Sequence, residues 1–183
     1  MVMVGCGQMA KFVEVKEKSG DAERKIKEAL QFLKDTPVYV GVPLNKIVRR
    51  NEDDKKVAIT NAELMFIHTN GSPRNNIPAR PVIEPAIEDD KERISKMFKD
   101  AGQTMMNQGK DAAMIKLKLI GMRGQKVCRA WFVNPKNGWP PNSPAVEARK
   151  RAKGATKPRP LIDTGQLIRS IIYFVETKGG RET

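Results

Sequence analysis

A helical pattern of apolar residues runs from Ile87 to Trp131 and is interrupted at Gly109. Apolar side chains recur three and four residues apart on both sides of this glycine, which predicts two long helices in succession. No run of about 18 uncharged apolar residues occurs, so neither helix is expected to span a bilayer. The apolar positions are Ile87, Ile94, Met97, Phe98, Ala101, Met105, Met106, Ala113, Leu117, Ile120, Val127, Cys128 and Trp131.

Predicted strands lie near both ends of the chain, on either side of this helical region. Phe12–Val15 is predicted as a short strand, and Val38–Val42 as a buried strand that ends at Pro43. An amphipathic helix with Asp21 as its N-cap is predicted between them. Residues 169–176 form the last predicted strand. Strands so far apart in sequence must pair around the helices, which indicates an α+β fold with a small mixed or antiparallel sheet formed by N- and C-terminal strands and packed against several helices.

Two irregular segments are expected within a single α+β domain that covers residues 1–183. Residues 70–85 combine turn-forming residues with three prolines in eight positions. These prolines forbid a helix before Pro85 and predict an extended proline-rich arm or loop. Residues 134–160 are predicted as a basic loop, interrupted by a short helix that begins at Pro144 after a serine cap.

Three shorter segments complete the predicted organisation. Thr60–Thr69 is predicted as a helix that Thr60 caps. Residues 44–56 are polar and lack periodicity, so they are predicted as an exposed loop. The tail from Lys178 is predicted to be frayed.

The positive charge is concentrated in the second half of the chain. The net charge is +13, and residues 101–183 carry 16 basic and 5 acidic side chains, against 18 and 16 in residues 1–100. This half is expected to face an anionic partner, either nucleic acid or an acidic protein surface. Its densest run, residues 147–159, has no aromatic side chain for base stacking, which favours electrostatic docking over sequence readout. The basic docking candidates are Arg149, Lys150, Arg151, Lys153, Lys157 and Arg159.

Residues that could support catalysis or metal binding are few. The chain has one histidine, His68, and two cysteines, Cys6 and Cys128, too few for an imidazole-centred metal site or a disulfide framework. Cys128 lies on the apolar stripe, where a buried and unreactive thiol is expected. No nucleotide-binding loop or nucleophile elbow is present in the sequence. We therefore expect no enzymatic activity, no cofactor and no metal, and a protein made in a reducing cytoplasm without a signal peptide.

One short motif resembles a protease signature. Asp163-Thr164-Gly165, preceded by Leu161-Ile162, copies the sequence around the catalytic aspartate of aspartic proteases, which need two such aspartates. Only 18 residues follow Gly165, which is too little chain to build a substrate cleft after the motif. These residues are therefore interpreted as a capped turn before the last strand.

A second motif suggests nucleic-acid binding. Gly121 and Gly124 match the spacing of the glycine loop with which KH domains clamp phosphates. The other interpretation is a helix with two glycines against which another backbone packs closely. A KH-like nucleic-acid-binding module therefore stays open as the alternative function.

Three longer stretches are modest signals separately but more specific as an ordered set. They are ITNAELMFIHTNGSP (59–73) with NIPARPVIEPA (76–86), GWPPNSP (138–144) with ARK (148–150), and PLIDTGQLIRSI (160–171). Together they resemble the tail-completion and head–tail joining proteins of tailed bacteriophages, a family often labelled virion morphogenesis or minor tail proteins. The resemblance covers about residues 38–176.

The resemblance implies a non-enzymatic structural subunit of the phage neck, a small α+β domain between the head connector and the tail tube. Such proteins typically assemble in the host cytoplasm into a ring, usually a hexamer, and become part of the virion. The implied partners are further copies of the chain, the head-completion or stopper protein, the tail terminator and the tail-tube protein. Genomic DNA passes through the lumen with non-specific contact at most.

In this setting the proline-rich arm is expected to reach a neighbouring subunit. Pro78, Arg80 and Pro81 are then interface candidates. Arg80 is expected to be a buried or interface anchor, because a guanidinium can bond several carbonyls or a carboxylate at once.

Overall fold

The structure, a computed structural model, describes residues 9–44, 49–50, 56–57, 59–177 and 179–182. The helices are α1 (Met9–Asp35), α2 (Asn61–Asn70), α3 (Ile83–Asp89), α4 (Lys91–Gln108), α5 (Lys110–Trp131), α6 (Pro144–Ala152) and α7 (Gln166–Arg169). The strands are β1 (Val38–Gly41), β2 (Arg49–Arg50), β3 (Lys56–Val57), β4 (Ile172–Thr177) and β5 (Gly180–Glu182). Short 3-10 turns lie at Pro73–Asn75 and Pro135–Asn137. None of the helices in these ranges is long and apolar enough to cross a membrane.

The two long helices predicted on either side of Gly109 are present as α4 and α5, which pack against each other. The first of them begins only at Lys91, because Asp90 separates it from α3, which contains Ile87 of the predicted pattern. Gly109 separates them with a φ of 87°, a conformation that residues with a Cβ rarely adopt. Leu117 of α5 is fully buried in a core with Ala101 of α4 and Val175 of β4. Leu33 of α1 packs against the same core, so α1 covers the helical pair.

Strands β1, β4 and β5 form an antiparallel sheet with β4 in the middle. Val40 of β1 pairs with Tyr173 of β4, and these two side chains point to the face that packs on α5. There they lie directly over Gly124 and Gly121. The predicted α+β fold is therefore confirmed, with strands from the two ends of the chain pairing against the helices.

The predicted first strand is wrong, because Phe12–Val15 lies within α1. Four alternating residues form too short a pattern to distinguish a strand from part of a long helix. The predicted N-cap at Asp21 is wrong as well, since α1 continues through this residue. Its carboxylate instead pairs with Arg24 and Lys25, which lie three and four residues further along the helix surface.

Two segments predicted as irregular contain strand pairing. β5 pairs with β4, so the chain end is not frayed as predicted over Gly180–Glu182; Lys178 lies outside the described residues. Within the predicted loop at residues 44–56, Arg49–Arg50 pairs with Lys56–Val57. Strands of this kind are held by backbone hydrogen bonds, which leave no apolar pattern in the sequence.

The predicted proline-rich arm lies against its own domain instead of projecting from it. Residues 78–82 belong to no helix or strand, and Val82, with a φ of −118° and a ψ of −58°, is fully buried in a core with Met65 of α2 and Phe132. The helix that follows begins at Ile83, two residues before Pro85. Proline is tolerated there because the first-turn amides of a helix have no intrahelical acceptor.

Candidate functional site

A cavity of about 680 Å³ lies where three stretches of the chain meet, residues 59–86, 138–150 and 160–171. The first stretch contributes α2 and the segment after it, the second the start of α6, and the third the turn before α7. The lining residues are Leu64, His68, Asn75, Asn76, Ile77, Pro78, Arg80, Pro141, Asn142, Ser143, Val146, Arg149, Lys150, Leu161, Asp163, Thr164, Gly165, Gln166 and Leu167. Segments about 100 residues apart in sequence thus form one concave surface.

Arg80 anchors the first stretch to the second. The side chain is only 7% exposed, and its Nε and Nη2 donate hydrogen bonds to the carbonyl oxygen of Pro140 at 3.1 and 3.0 Å. Nη2 also donates to the carbonyl of Pro141 at 2.8 Å. The structure therefore places Arg80 as a buried anchor within the chain, with burial lowering the pKa of its guanidinium.

Trp139 supports the same junction from the opposite side. Its indole Nε1 donates a hydrogen bond to the carbonyl of Pro81 at 3.0 Å. Its ring packs edge-to-face on Phe132, with 5.7 Å between the ring centroids. The loop after α5 and the proline-rich segment therefore hold each other in place by hydrogen bonds in both directions.

Lys150 connects the second stretch to the third. This side chain is 6% exposed, and its Nζ donates to the carbonyls of Arg159 and Ile162 at 2.7 and 2.5 Å. Burial lowers the pKa of the Lys150 ammonium. Lys150 is predicted as a surface docking residue, but the structure places it in the interior. Its ammonium holds the loop after α6 through hydrogen bonds to two carbonyls of that loop.

The other docking candidates lie at the surface. The side chains of Arg149, Arg151, Lys153, Lys157 and Arg159 are exposed. Of these, only Arg149 lines the cavity. The remaining four are exposed, and Arg151 pairs with the carboxylate of Glu147 at 3.7 Å.

The two predicted proline candidates have internal roles. Pro78 lines the cavity, and Pro81 supplies the carbonyl that Trp139 bonds. Both are only partly exposed, and Arg80 between them is buried. In the described part of the chain these three residues join two segments of one molecule.

Asp163, Thr164 and Gly165 form a bend that leads into α7, and not directly into the last strand as the capped-turn interpretation predicts. Gly165 has a φ of 75° and precedes the first residue of α7. Arg169 Nη2 donates to the Thr164 carbonyl at 2.8 Å, which closes the turn. Asp163 is exposed at the cavity wall. It is the one acidic residue among the described residues that line the cavity.

The glycine pair that matches the KH loop lies inside α5, which contradicts the loop geometry of that motif. A Cβ built on Gly121 would lie close to the Tyr173 ring, 2.8 Å from its Cγ. A Cβ on Gly124 would lie 2.8 Å from Val40 Cγ2. The glycines therefore allow the sheet to approach the helix, and side chains of the sheet occupy the space.

Polar side chains that line this cavity include His68, Ser143, Asp163 and Thr164, whereas Cys128 is not among its lining residues. Burial raises the pKa of the Cys128 thiol to about 12, so this thiol is protonated and unreactive at neutral pH. Among the described residues, no group of three or more His, Cys, Asp or Glu side chains is placed to hold a metal ion. The residues that line the cavity suit the binding of a ligand through charge and hydrogen bonds.

Two residues at the junction were not singled out from the sequence. Trp139 is visible there only as an aromatic between Gly138 and a pair of prolines. Asn142 lines the cavity, and its Nδ2 is buried without a hydrogen-bond partner among the described residues. Trp139 bonds to Pro81, which lies 58 positions away in the sequence, so no local sequence pattern predicts this contact.

Comparison with protein-family models, with curated proteins and with solved structures found no match. The functional conclusion therefore depends on the residues, on the geometry of the cavity and on the resemblance of the three stretches.

Proposed function

We propose that the chain is a structural subunit of a tailed-phage neck, which assembles with copies of itself into a ring between the head connector and the tail tube. Its role is to bind neighbouring subunits and not to transform a substrate. The proposal also implies that the protein is part of the assembled virion. The observation that carries it is the resemblance of three ordered stretches, whose residues meet at one cavity and bond to one another.

The hydrogen bonds between the three stretches support the proposal, because they explain why these stretches occur together in one chain. Arg80 requires the carbonyls of Pro140 and Pro141, and Lys150 requires that of Ile162. A resemblance spread over unconnected surface loops would have no such physical basis. Here the three stretches build one rigid unit, which is what a subunit with fixed contacts needs.

Two exposed apolar patches also suit a ring. Ile115, Leu119 and Met122 lie along the solvent face of α5. Tyr39 is exposed on the sheet, where it stacks on Phe174 with 5.0 Å between ring centroids. Because neighbouring residues of a strand point to opposite faces, this aromatic pair faces away from α5. Two different patches on opposite sides of one subunit are what a heterologous ring contact uses.

The proposal is tested by electron microscopy of particles from a phage that carries this gene and from its deletion mutant. We expect the deletion to produce separate heads and tails, and a plasmid copy of the gene to restore joined virions. Leu119→Lys should fail to restore them, because it places a charge in the apolar patch of α5. Ile26→Lys makes the same change at an exposed position of α1 and serves as the control.

Infectious, normally joined particles without this protein would contradict the proposal. So would steep, salt-dependent binding of oligonucleotides by the monomer together with normal virions from Leu119→Lys, since that behaviour belongs to a nucleic-acid-binding module.

A further inference from the structure

The cavity between the three stretches has an excess of positive charge. Arg80, Arg149 and Lys150 line it, against Asp163 as the carboxylate among the described lining residues. Within that part of the chain, neither Arg80 nor Lys150 has a carboxylate within 4.0 Å, and both bond only to backbone carbonyls. The charge of Asp163 acts on Lys150 from a greater distance, so one carboxylate offsets part of the charge of three cationic side chains. Buried charges are usually paired, because removing a charge from water without a counter-charge is unfavourable. The cavity thus has a place for an anion.

Hydrogen-bond donors remain available in the same wall. Arg80 uses Nε and Nη2 for its carbonyl bonds, and its Nη1 has no partner among the described residues. Lys150 uses two of its three ammonium hydrogens. A pocket of this kind attracts a ligand that carries acceptor oxygens and negative charge.

The shape and lining favour a carboxylate over a nucleic-acid phosphate. The volume of about 680 Å³ lies in the usual range of sites for small groups and cannot admit a duplex. The described lining contains no Phe, Tyr or Trp for base stacking. Apolar side chains such as Ile77 and Leu161 line the cavity together with the cationic groups. This mixture suits a polypeptide, whose side chains are both acidic and apolar.

We propose that this cavity binds a carboxylate of an acidic segment from another polypeptide chain. The guanidinium of Arg149 pairs with the carboxylate at the opening of the cavity. Inside the cavity, the Nη1 of Arg80 and the third ammonium hydrogen of Lys150 donate hydrogen bonds to it. This inference stands on the charge of the cavity and holds whether or not the chain is a neck subunit.

The test is calorimetric titration of the full chain with a blocked tetraglutamate peptide at constant ionic strength. The tetraglutamine peptide and inorganic phosphate form separate arms. We expect saturable binding of tetraglutamate and none of tetraglutamine. Arg149→Gln should weaken binding about tenfold. Arg151→Gln removes the same charge from an exposed position of α6 outside the cavity and should change it less than about twofold.

A second pair of variants places a carboxylate in the cavity within the chain itself. Val146 lines the cavity, whereas its exposed neighbour Ala145 does not. Val146→Glu should weaken tetraglutamate binding at least about tenfold, because its own carboxylate occupies the donors. Ala145→Glu should leave the affinity within about threefold. Circular dichroism verifies that both variants fold.

Equal losses for Arg149→Gln and Arg151→Gln would overturn the proposal, since they would show that the affinity comes from net charge alone. Saturation by phosphate without saturation by tetraglutamate would also overturn it and would assign the cavity to a phosphate group.

Discussion

At Gly121 the absence of a side chain allows the sheet to lie against α5. A Cβ at this position would meet three atoms of the Tyr173 ring, the Cγ at 2.8 Å and the Cε2 at 2.9 Å among them. We expect Gly121→Ala to lower the free energy of unfolding by about 1–3 kcal/mol, because the clash exceeds the helix-propensity gain of about 1 kcal/mol. Urea unfolding followed by circular dichroism measures this change.

Gly102→Ala is the matched control. Gly102 lies inside α4, and a Cβ there would meet only Leu33 Cδ1, at an ordinary 3.5 Å. The alanine should therefore stabilise the protein by up to about 1 kcal/mol. The prediction for Gly121 fails if both alanine variants shift stability in the same direction.

A lysine cannot replace Arg80 in its hydrogen bonds, although it carries the same positive charge. In Arg80→Lys a single ammonium replaces the planar fork that bonds the carbonyls of Pro140 and Pro141. We expect a loss of about 2 kcal/mol in the free energy of unfolding, because buried acceptors lose a charged donor. The exposed Arg74→Lys is the control and should stay within about 0.5 kcal/mol. Equal stability of the two variants would refute an anchoring role.

At the scale of elements, one ion pair joins the start of α4 to α5. Arg123 donates from Nε and Nη2 to the two carboxylate oxygens of Asp90 at 2.7 and 2.5 Å, and the two side chains are partly buried, 24% and 16% exposed. We expect Asp90→Asn to cost about 2 kcal/mol at neutral pH, measured by urea unfolding. Glu88→Gln breaks the exposed pair with Lys91 and should cost at most about 0.5 kcal/mol.

The same pair predicts a dependence on pH. The hydrogen bonds from Arg123 lower the pKa of the Asp90 carboxyl below its ordinary value of 3.8. The unfolded state therefore takes up the proton first, so the stabilisation is complete above pH 3.8 and is lost as the pH falls through the folded-state pKa. The stability difference between the wild type and Asp90→Asn should shrink over this acid range. A difference that stays constant down to the acid transition would contradict this assignment.

For the whole molecule, the net charge of +13 predicts that salt stabilises the fold. Screening weakens the repulsion among the basic groups, whereas the exposed ion pairs that salt also weakens contribute little. Raising NaCl from about 0.05 M to about 0.5 M should raise the midpoint of thermal unfolding. A variant with Gln at Lys153, Lys157 and Arg159 should gain less from the same change. A midpoint that falls with salt would show that ion pairs outweigh the repulsion.

The elements that the sequence predicts correctly are those whose signals act over a few residues. Thr60 caps α2 in a reciprocal capping box with Glu63, and the Ser143 hydroxyl accepts from the Val146 amide at the start of α6. The break at Gly109 is of the same kind. Each of these depends on atoms that are neighbours in the chain, so the residue pattern records them.

The candidate site was predictable only in part. The basic run and Arg80 are visible in the sequence, yet Lys150 is indistinguishable there from Arg149 and Arg151 on either side. What separates Lys150 from them is the loop that returns to cover it, where its ammonium meets the carbonyl of Ile162. Burial is a property of the folded surroundings, so composition alone assigned all three to one exposed strip.

The sequence by itself determined the two helices on either side of Gly109, the caps at Thr60 and Ser143 and the bend at residues 163–165, because local sterics and hydrogen bonds specify them. The tertiary structure decided that Val38–Gly41 pairs with Ile172–Thr177, that the proline-rich segment folds back on its own domain, and that a cationic cavity forms between distant stretches. These features draw their free energy from contacts between segments up to more than 100 residues apart. Such contacts exist only after the chain has closed the intervening loops, so no short window of sequence contains them.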